Sequence, residues 1–213
     1  MLRIAIQAKG RLNEDCMALL KDAGINVAAS KRKLVARASD FPIEVLYLRD
    51  DDIPQAVAMG VADVGIVGLN EVAEKNQNVR ELMRLGFGGC RISLAIPRDA
   101  HYDGPAWFSG KRIATSYPHI LERYFSELGI KAHIHEIAGS VEIAPAVGMA
   151  DGIFDIVSSG GTLVQNGLRE VEQVFHSEAA LIAHPNLEAE KLSAIEKLKF
   201  RFRFTHLGVS ETI

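Results

Sequence analysis

The chain has 213 residues, 48% of them hydrophobic and 24% charged, and a net charge of −3. That length holds one large core or two small lobes, and the composition is that of a soluble globular protein. The acidic balance speaks against a general nucleic-acid binder, Cys16 and Cys90 have no metal-type spacing and give no disulfide framework, and no apolar run approaches a membrane span.

The elements alternate in the manner of an α/β protein. Residues 2–7 read as a strand that follows the initiator directly, with no charged-then-apolar signal segment before it. With so few cysteines, this makes a cytoplasmic location the expectation. Residues 13–23 form an amphipathic helix, with Leu19 and Leu20 on its apolar face and Gly24 as its stop. A strand over 43–47 precedes a short helix over 54–59, with Pro54 in its first turn. Val64 to Val67, between Gly60 and Gly68, is a short buried strand, and Ile92 to Ile96 is another, ended by Pro97.

A second block follows. It has a strand over 111–115, a helix over 118–128 stopped by Gly129, a strand over 132–137, a helix over 141–149 and a strand over 153–157. A helix opens at Leu163. Residues 171–182 read as strand returning to the first block, and 187–200 as a helix. Gly104, Pro105 and Gly110 mark a crossing between lobes. The expected division is 1–97 plus 176–213 for a discontinuous first lobe and 98–175 for the second, with a ligand cleft between them.

The segment from Asp155 to Thr162 carries the most chemistry. An apolar strand ends in an acid, two β-branched residues, Ser158, Ser159, Gly160, Gly161 and Thr162. The hydroxyls are donors, and the glycines let backbone N–H groups close on a small anion with no Cβ in the way. A strand leading into such a loop and then a helix suits a phosphate. Many such loops only make a turn, and a lone strand-end acid is often a cap. The acid and loop together suit a 5-phosphoribosyl group, with Asp155 on the vicinal hydroxyls.

Lys9-Gly10-Arg11 follows the first strand, where the strand ends of an α/β sheet face the ligand crevice. A Lys point charge and an Arg fork suit a pyrophosphate, although the same turn standing alone would be read as solvated. Arg49 closes a strand before Asp50, Asp51 and Asp52. This acid run could gather magnesium, but Asp51 and Asp52 better suit a solvated helix start. Arg32, in the basic loop 30–33, is either a solvated residue or a contact for nucleotide phosphates. Glu142 is either a helix-start dipole partner or a second acid near a sugar. Asp63 and Gly65 read as packing residues, and His133 and His135 as surface residues sharing a strand face.

In chain order, Lys9-Gly10-Arg11-Leu12, the stretch from Arg49 to Pro54, Ala62 to Gly68, Gly139 to Pro145, Ala150 to Leu163 and Asn166-Gly167-Leu168 resemble ATP phosphoribosyltransferase, over essentially the whole chain. The resemblance implies a two-lobed fold of the type II periplasmic-binding-protein kind. It implies transfer of phosphoribose from 5-phosphoribosyl 1-pyrophosphate to N1 of ATP, the first step of histidine biosynthesis, with magnesium bound mainly through substrate. The loop 158–162 would bind the 5-phosphate, with Asp155 and Glu142 facing the ribose. Other phosphoribosyltransferases use a similar loop after two adjacent acids, but here Phe154 takes the first acid place.

The end at Ile213 resembles the short form of the family. That form implies a catalytic-subunit dimer within a hetero-oligomer, with a separate regulatory subunit resembling a histidyl-tRNA synthetase. On this reading Lys9, Arg11 and magnesium neutralise the leaving pyrophosphate, Asp155 favours a positive ribose ring, and Arg49 and Arg32 are candidates for the ATP phosphates. The competing reading is a solute-binding module of the same fold with no chemistry.

Overall fold

The computed structural model describes residues 1–27 and 34–205. In chain order the elements are β1 (Leu2–Gln7), α1 (Arg11–Asp22), β2 (Val35–Arg37), β3 (Ile43–Leu48), α2 (Ile53–Ala58), β4 (Val64–Gly68), α3 (Leu69–Lys75), β5 (Arg80–Arg84) and β6 (Cys90–Pro97). They continue with β7 (Arg112–Thr115), α4 (Pro118–Leu128), β8 (His133–Glu136), β9 (Gly152–Val157), α5 (Gly161–Gln165), β10 (Leu168–Ser177), β11 (Ala179–Ala183) and α6 (Ala189–Arg203). The chain divides into two compact units, Met1–Gly88 with Glu178–Ile213, and Gly89–Ser177. The strand β6, placed by its sequence at the end of the first lobe, pairs with β9 and β10 inside the second unit.

The first unit is built on a six-stranded sheet of order β2-β3-β1-β4-β11-β5. Its centre is parallel, with β1 between β3 and β4, and β11 runs antiparallel to both β4 and β5. Apolar side chains emerge on both faces of β1. Ile4 and Ile6 pack with Leu19, Leu20 and Leu198, and Ala5 packs on the other side with Ile53, Val57 and Ile182. Each such buried aliphatic side chain contributes about 1.5–3 kcal/mol relative to exposure.

Gly65 lies on the Ala5 side, where an added Cβ would come within 2.7 Å of Ile53 and 3.0 Å of Val57. Its place is one of packing, as its sequence context suggests. Asp63 is also structural. Its carboxylate accepts from the Arg3 backbone N–H at 2.8 Å and pairs with Lys191 at 2.8 Å, tying β1 to α6.

The second unit has a five-stranded sheet of order β10-β6-β9-β7-β8. Strands β7, β8 and β9 are mutually parallel where they pair, and β6 is antiparallel to both β9 and β10. Helix α4 begins at Pro118, whose fixed φ suits a first turn. It ends at left-handed Gly129, whose N–H reaches back to the carbonyls of Phe125 and Ser126.

Three expectations change. Residues 141–149 hold only a 3₁₀ turn, Val141–Ile143: Pro145 has no N–H to donate to the Val141 carbonyl, and Gly148 turns the chain at positive φ. Helix α5 starts two residues before Leu163 and stops at Gln165, and Leu168 already belongs to β10. The single strand read over 171–182 is two, β10 in the second unit and β11 in the first.

Candidate active site

In the second unit, β9 enters the sheet with Ile153 and Val157 facing a small core of Ala114, Val141, Ala144, Leu163 and Leu168. Alternation along the strand puts Asp155 on that same face, one residue pair before the strand ends. Phe154 points the other way and is fully buried. Val141 and Ala144 anchor the 3₁₀ turn to the same core, which brings Glu142 towards Asp155. A cavity of about 200 Å³ results, lined by Glu142, Asp155, Ser158, Ser159, Gly160 and Thr162 among others. The structure thus gathers the sugar-type acids and the phosphate-type loop in one place. Glu142, in the first turn of this 3₁₀ segment, lines the cavity.

The loop geometry suits a small anion. Gly160 has φ +81°, a left-handed conformation that glycine enters without Cβ strain, and it turns the chain into α5. Ser158, Ser159, Gly161 and Thr162 are exposed around it. Before the site, Ser140 takes φ +45°, an uncommon conformation for a residue with a Cβ. Backbone strain of this kind collects at functional sites.

Asp155 is the electrostatic centre. Its carboxyl is pushed up to about 6, mainly because burial strips it of water and secondarily because the Glu142 charge repels it; the Ile156 N–H donates to it at 2.8 Å and opposes the rise. The group is therefore ionised at neutral pH but poorly solvated. A cation developing beside it would be felt strongly.

The first unit holds the other candidates. Lys9 and Arg11 flank Gly10 where β1 passes into α1, and both are exposed. Gly10 has φ +102° and ψ −178°, a region open only to glycine, so the turn depends on it. Gln7, at the end of β1, reaches across to Asp50 at 3.2 Å, while Asn13 donates to the Gln7 carbonyl at 2.6 Å. Arg49 is 77% exposed and forks onto Asp51 at 3.0 and 3.3 Å, so any nucleotide contact must replace this surface pair. Arg32 lies outside the described residues. His133 and His135 are exposed on β8.

Three residues at the site gave no signal in the sequence reading. Arg91 and Ser93 on β6 and Glu170 on β10 form one hydrogen-bonded group beside the loop. Arg91 and Ser93 are two apart in a strand, so they share a face, but their partner lies 79 residues from Arg91.

The family profile of ATP phosphoribosyltransferase matches residues 49–204. The ATP phosphoribosyltransferase of Parabacteroides distasonis is 61% identical over 202 residues, 95% of this chain and 71% of that protein. The chain belongs to the ATP phosphoribosyltransferase family. The family member from Cytophaga hutchinsonii is 52% identical over 201 residues, covering 94% of this chain and 70% of its own length.

Among solved structures, the ATP phosphoribosyl transferase (HisG:HisZ) complex from Thermotoga maritima aligns with TM-score 0.81 and 31% identity, covering 95% of this chain and 99% of that one. The substrate-binding protein of an amino acid ABC transporter aligns with TM-score 0.61 at 12% identity, covering 95% and 91%. At that identity the likeness is one of fold, and it places this member of the ATP phosphoribosyltransferase family in the type II periplasmic-binding-protein architecture.

Proposed function

We propose that the chain transfers the phosphoribosyl group of 5-phosphoribosyl 1-pyrophosphate to N1 of ATP, releasing pyrophosphate and opening histidine biosynthesis. The observation that supports this reading best is the single cavity that joins Asp155 and Glu142 to the loop 158–162, in a chain 61% identical to an ATP phosphoribosyltransferase. A nucleophilic nitrogen with a free lone pair needs no general base, and among these candidates none is assigned that task. The energetic difficulty lies in breaking the bond from the anomeric carbon to pyrophosphate.

The residues divide that work. Backbone N–H groups and hydroxyls of Ser158, Ser159, Gly160, Gly161 and Thr162 hold the 5-phosphate, so that remote binding energy fixes the reacting carbon. Asp155, with Glu142 beside it, orients the ribose hydroxyls. Its poorly hydrated carboxylate stabilises the positive ring as pyrophosphate departs. Lys9 and Arg11 attract the pyrophosphate, and Arg49 and Arg32 serve the phosphates of ATP.

Magnesium fits as a passenger of the substrate. Among the described residues no three His, Cys, Asp or Glu side chains are grouped to hold a metal, and Mg²⁺ commonly takes one or two carboxylates plus phosphate oxygens. It supplies further charge neutralisation at the pyrophosphate.

The Thermotoga maritima structure is a HisG:HisZ complex, and a separate regulatory subunit of that kind is the partner we assign to this chain. We assign the cytoplasm as its compartment; among the described residues no helix is long and apolar enough to cross a membrane.

Pyrophosphate release from ATP, phosphoribosyl pyrophosphate and magnesium tests the proposal, with the regulatory subunit added in a parallel assay. Release under either condition is expected. Phosphoribosyl pyrophosphate that binds but never turns over, with or without the subunit, would favour a non-catalytic binding module.

A further inference from the structure

Where β9 ends, the loop 158–162 leaves the sheet without a strand to guide it. Its last ladder partner is Arg91, which sits opposite Val157. The Arg91 side chain then takes over from the ladder, because its Nη1 donates to the carbonyl of Ser158, the first residue of the loop, at 3.0 Å. The rest of the guanidinium is committed. Nε and Nη2 fork onto the two carboxylate oxygens of Glu170 at 2.6 and 2.7 Å. Ser93 Oγ, fully buried, donates to the same carboxylate at 2.7 Å.

The sheet is shaped to make this possible. Glu170 stands opposite Ala95, and a register shift between Glu170 and Glu172 follows at once. A bulge re-aims the residues around it. Ser93 stands opposite Asp155 across the other strand edge, so the same braced strand β6 neighbours both the acid and the loop. An Arg held bidentately has little rotamer freedom left, so the hydrogen bond it offers to Ser158 is fixed in direction.

We propose that Arg91, locked by Glu170 and Ser93, is a positioning residue that sets the backbone of the loop at Ser158 and thereby the affinity for a 5-phosphorylated sugar. The inference rests on the reading of that loop as the 5-phosphate site. Arg91 meets the loop through the Ser158 carbonyl and is not among the residues that line the cavity, so it acts through the loop and is not assigned to substrate.

The test measures binding by calorimetry with four probes: phosphoribosyl pyrophosphate, ribose 5-phosphate, inorganic pyrophosphate and ATP. The variants are Arg91→Met, Arg91→Lys, Glu170→Gln and, as a direct loop variant, Gly160→Val. In Arg91→Met we expect roughly tenfold weaker binding of the two probes that carry a sugar 5-phosphate, the loss of one charge-assisted contact. Binding of pyrophosphate and ATP should stay within about twofold of wild type. Arg91→Lys keeps the charge but loses the fork, and it should not rescue. Glu170→Gln should fall between wild type and Arg91→Met, and it carries the test with Arg91→Lys if the Met variant does not fold.

Equal weakening of all four probes would make the network merely structural and overturn the proposal. Unchanged ribose 5-phosphate binding in the Arg91 variants, with binding lost in Gly160→Val, would overturn it while sparing the loop assignment. Unchanged binding in Gly160→Val as well would remove the loop assignment itself.

Discussion

Two turns in this chain share a backbone plan and differ in chemistry. Residues 9–11 and 158–162 each leave a strand, pass through a glycine at positive φ and enter a helix. The first carries Lys9 and Arg11 and leads into the 12-residue α1; the second has no charged residue and leads into the five-residue α5. The first attracts anions by charge, an interaction that reaches far and that salt screens. The second offers neutral donors that act only in contact, with Asp155 one turn earlier. On the proposed function, one backbone device would serve two tasks: drawing in a leaving group and fixing the end that stays.

The sharpest way to break this comparison is to remove the acid of β9 that precedes the neutral second turn. Asp155→Asn keeps shape and hydrogen-bonding capacity, so binding through the loop should survive. Turnover should fall by about 10²–10³-fold, the range for losing one electrostatic contact to a transition state. Steady-state pyrophosphate release measures it. Wild-type turnover in the variant would remove Asp155 from the reaction.

The next largest effect belongs to the charged turn. Lys9→Met should weaken phosphoribosyl pyrophosphate binding by about 1.5–3 kcal/mol, the usual range for a hydrogen bond to a charged group. It should also flatten the dependence of that binding on ionic strength, which no neutral change in the second turn should do. A salt titration of both variants compares the two turns directly. If Lys9→Met weakens ATP alone, the pyrophosphate assignment is wrong.

How far these turns could be read in advance follows from what each requires. The second was legible as a tight strand-to-helix turn because glycines and small hydroxyls stand in consecutive positions after an apolar strand, and the acid before it set it apart from the many such runs that only turn the chain. The first was legible only as its companion, since Lys-Gly-Arg alone would suit any solvated turn. Arg91, Ser93 and Glu170 were not legible, because their meeting depends on the pairing of β6 with β10 across 79 residues and on a bulge that local sequence does not announce.

The fold shows the same division. Short apolar strands, such as β1 and β9, were readable. Strand β5, Arg-Glu-Leu-Met-Arg, was hidden by its charges. Helix α3 was hidden because it buries Asn70, Glu71 and Glu74 among its residues, which inverts the usual pattern. The passage from β10 to β11 was read through as one strand because no Gly or Pro stands at Ser177 and Glu178, where the chain changes sheet.

Alanine at the two glycines tests the shared backbone plan. Gly10, at φ +102° and ψ −178°, lies where a Cβ is forbidden, and an added Cβ would also come within 3.4 Å of Gln7. Gly160, at φ +81° and ψ −1°, lies nearer the left-handed helical region, and its nearest neighbour would be Val157 at 3.9 Å. Gly10→Ala should therefore cost about 2–3 kcal/mol and Gly160→Ala about 1–2 kcal/mol, read as shifts in urea midpoint. Equal costs would mean that the two turns are more alike in constraint than their backbone angles imply.

The smallest effect concerns what the acid ahead of the second turn costs the fold. The carboxyl of Asp155 is raised to about 6 in the native state, from an ordinary 3.8, by burial first and Glu142 second. The native state therefore holds that proton more tightly than the unfolded chain does. Between the two values the native form binds more protons, so this group lowers stability as pH rises from about 4 to about 6, and the loss is complete above that window. Asparagine cannot ionise, and its amide oxygen can still accept from the Ile156 N–H. Asp155→Asn should therefore be more stable than wild type at pH 7.5, by about 1–2 kcal/mol after allowance for residual hydration, and the advantage should fade by about pH 4. Thermal unfolding at the two pH values reads this as a gain of a few degrees at the higher one alone. A variant that is less stable than wild type at pH 7.5 would show that the carboxylate is satisfied in the native fold. The charge proposed to stabilise the transition state would then carry no cost in the resting enzyme, and the argument from its poor hydration to its catalytic strength would lose its basis.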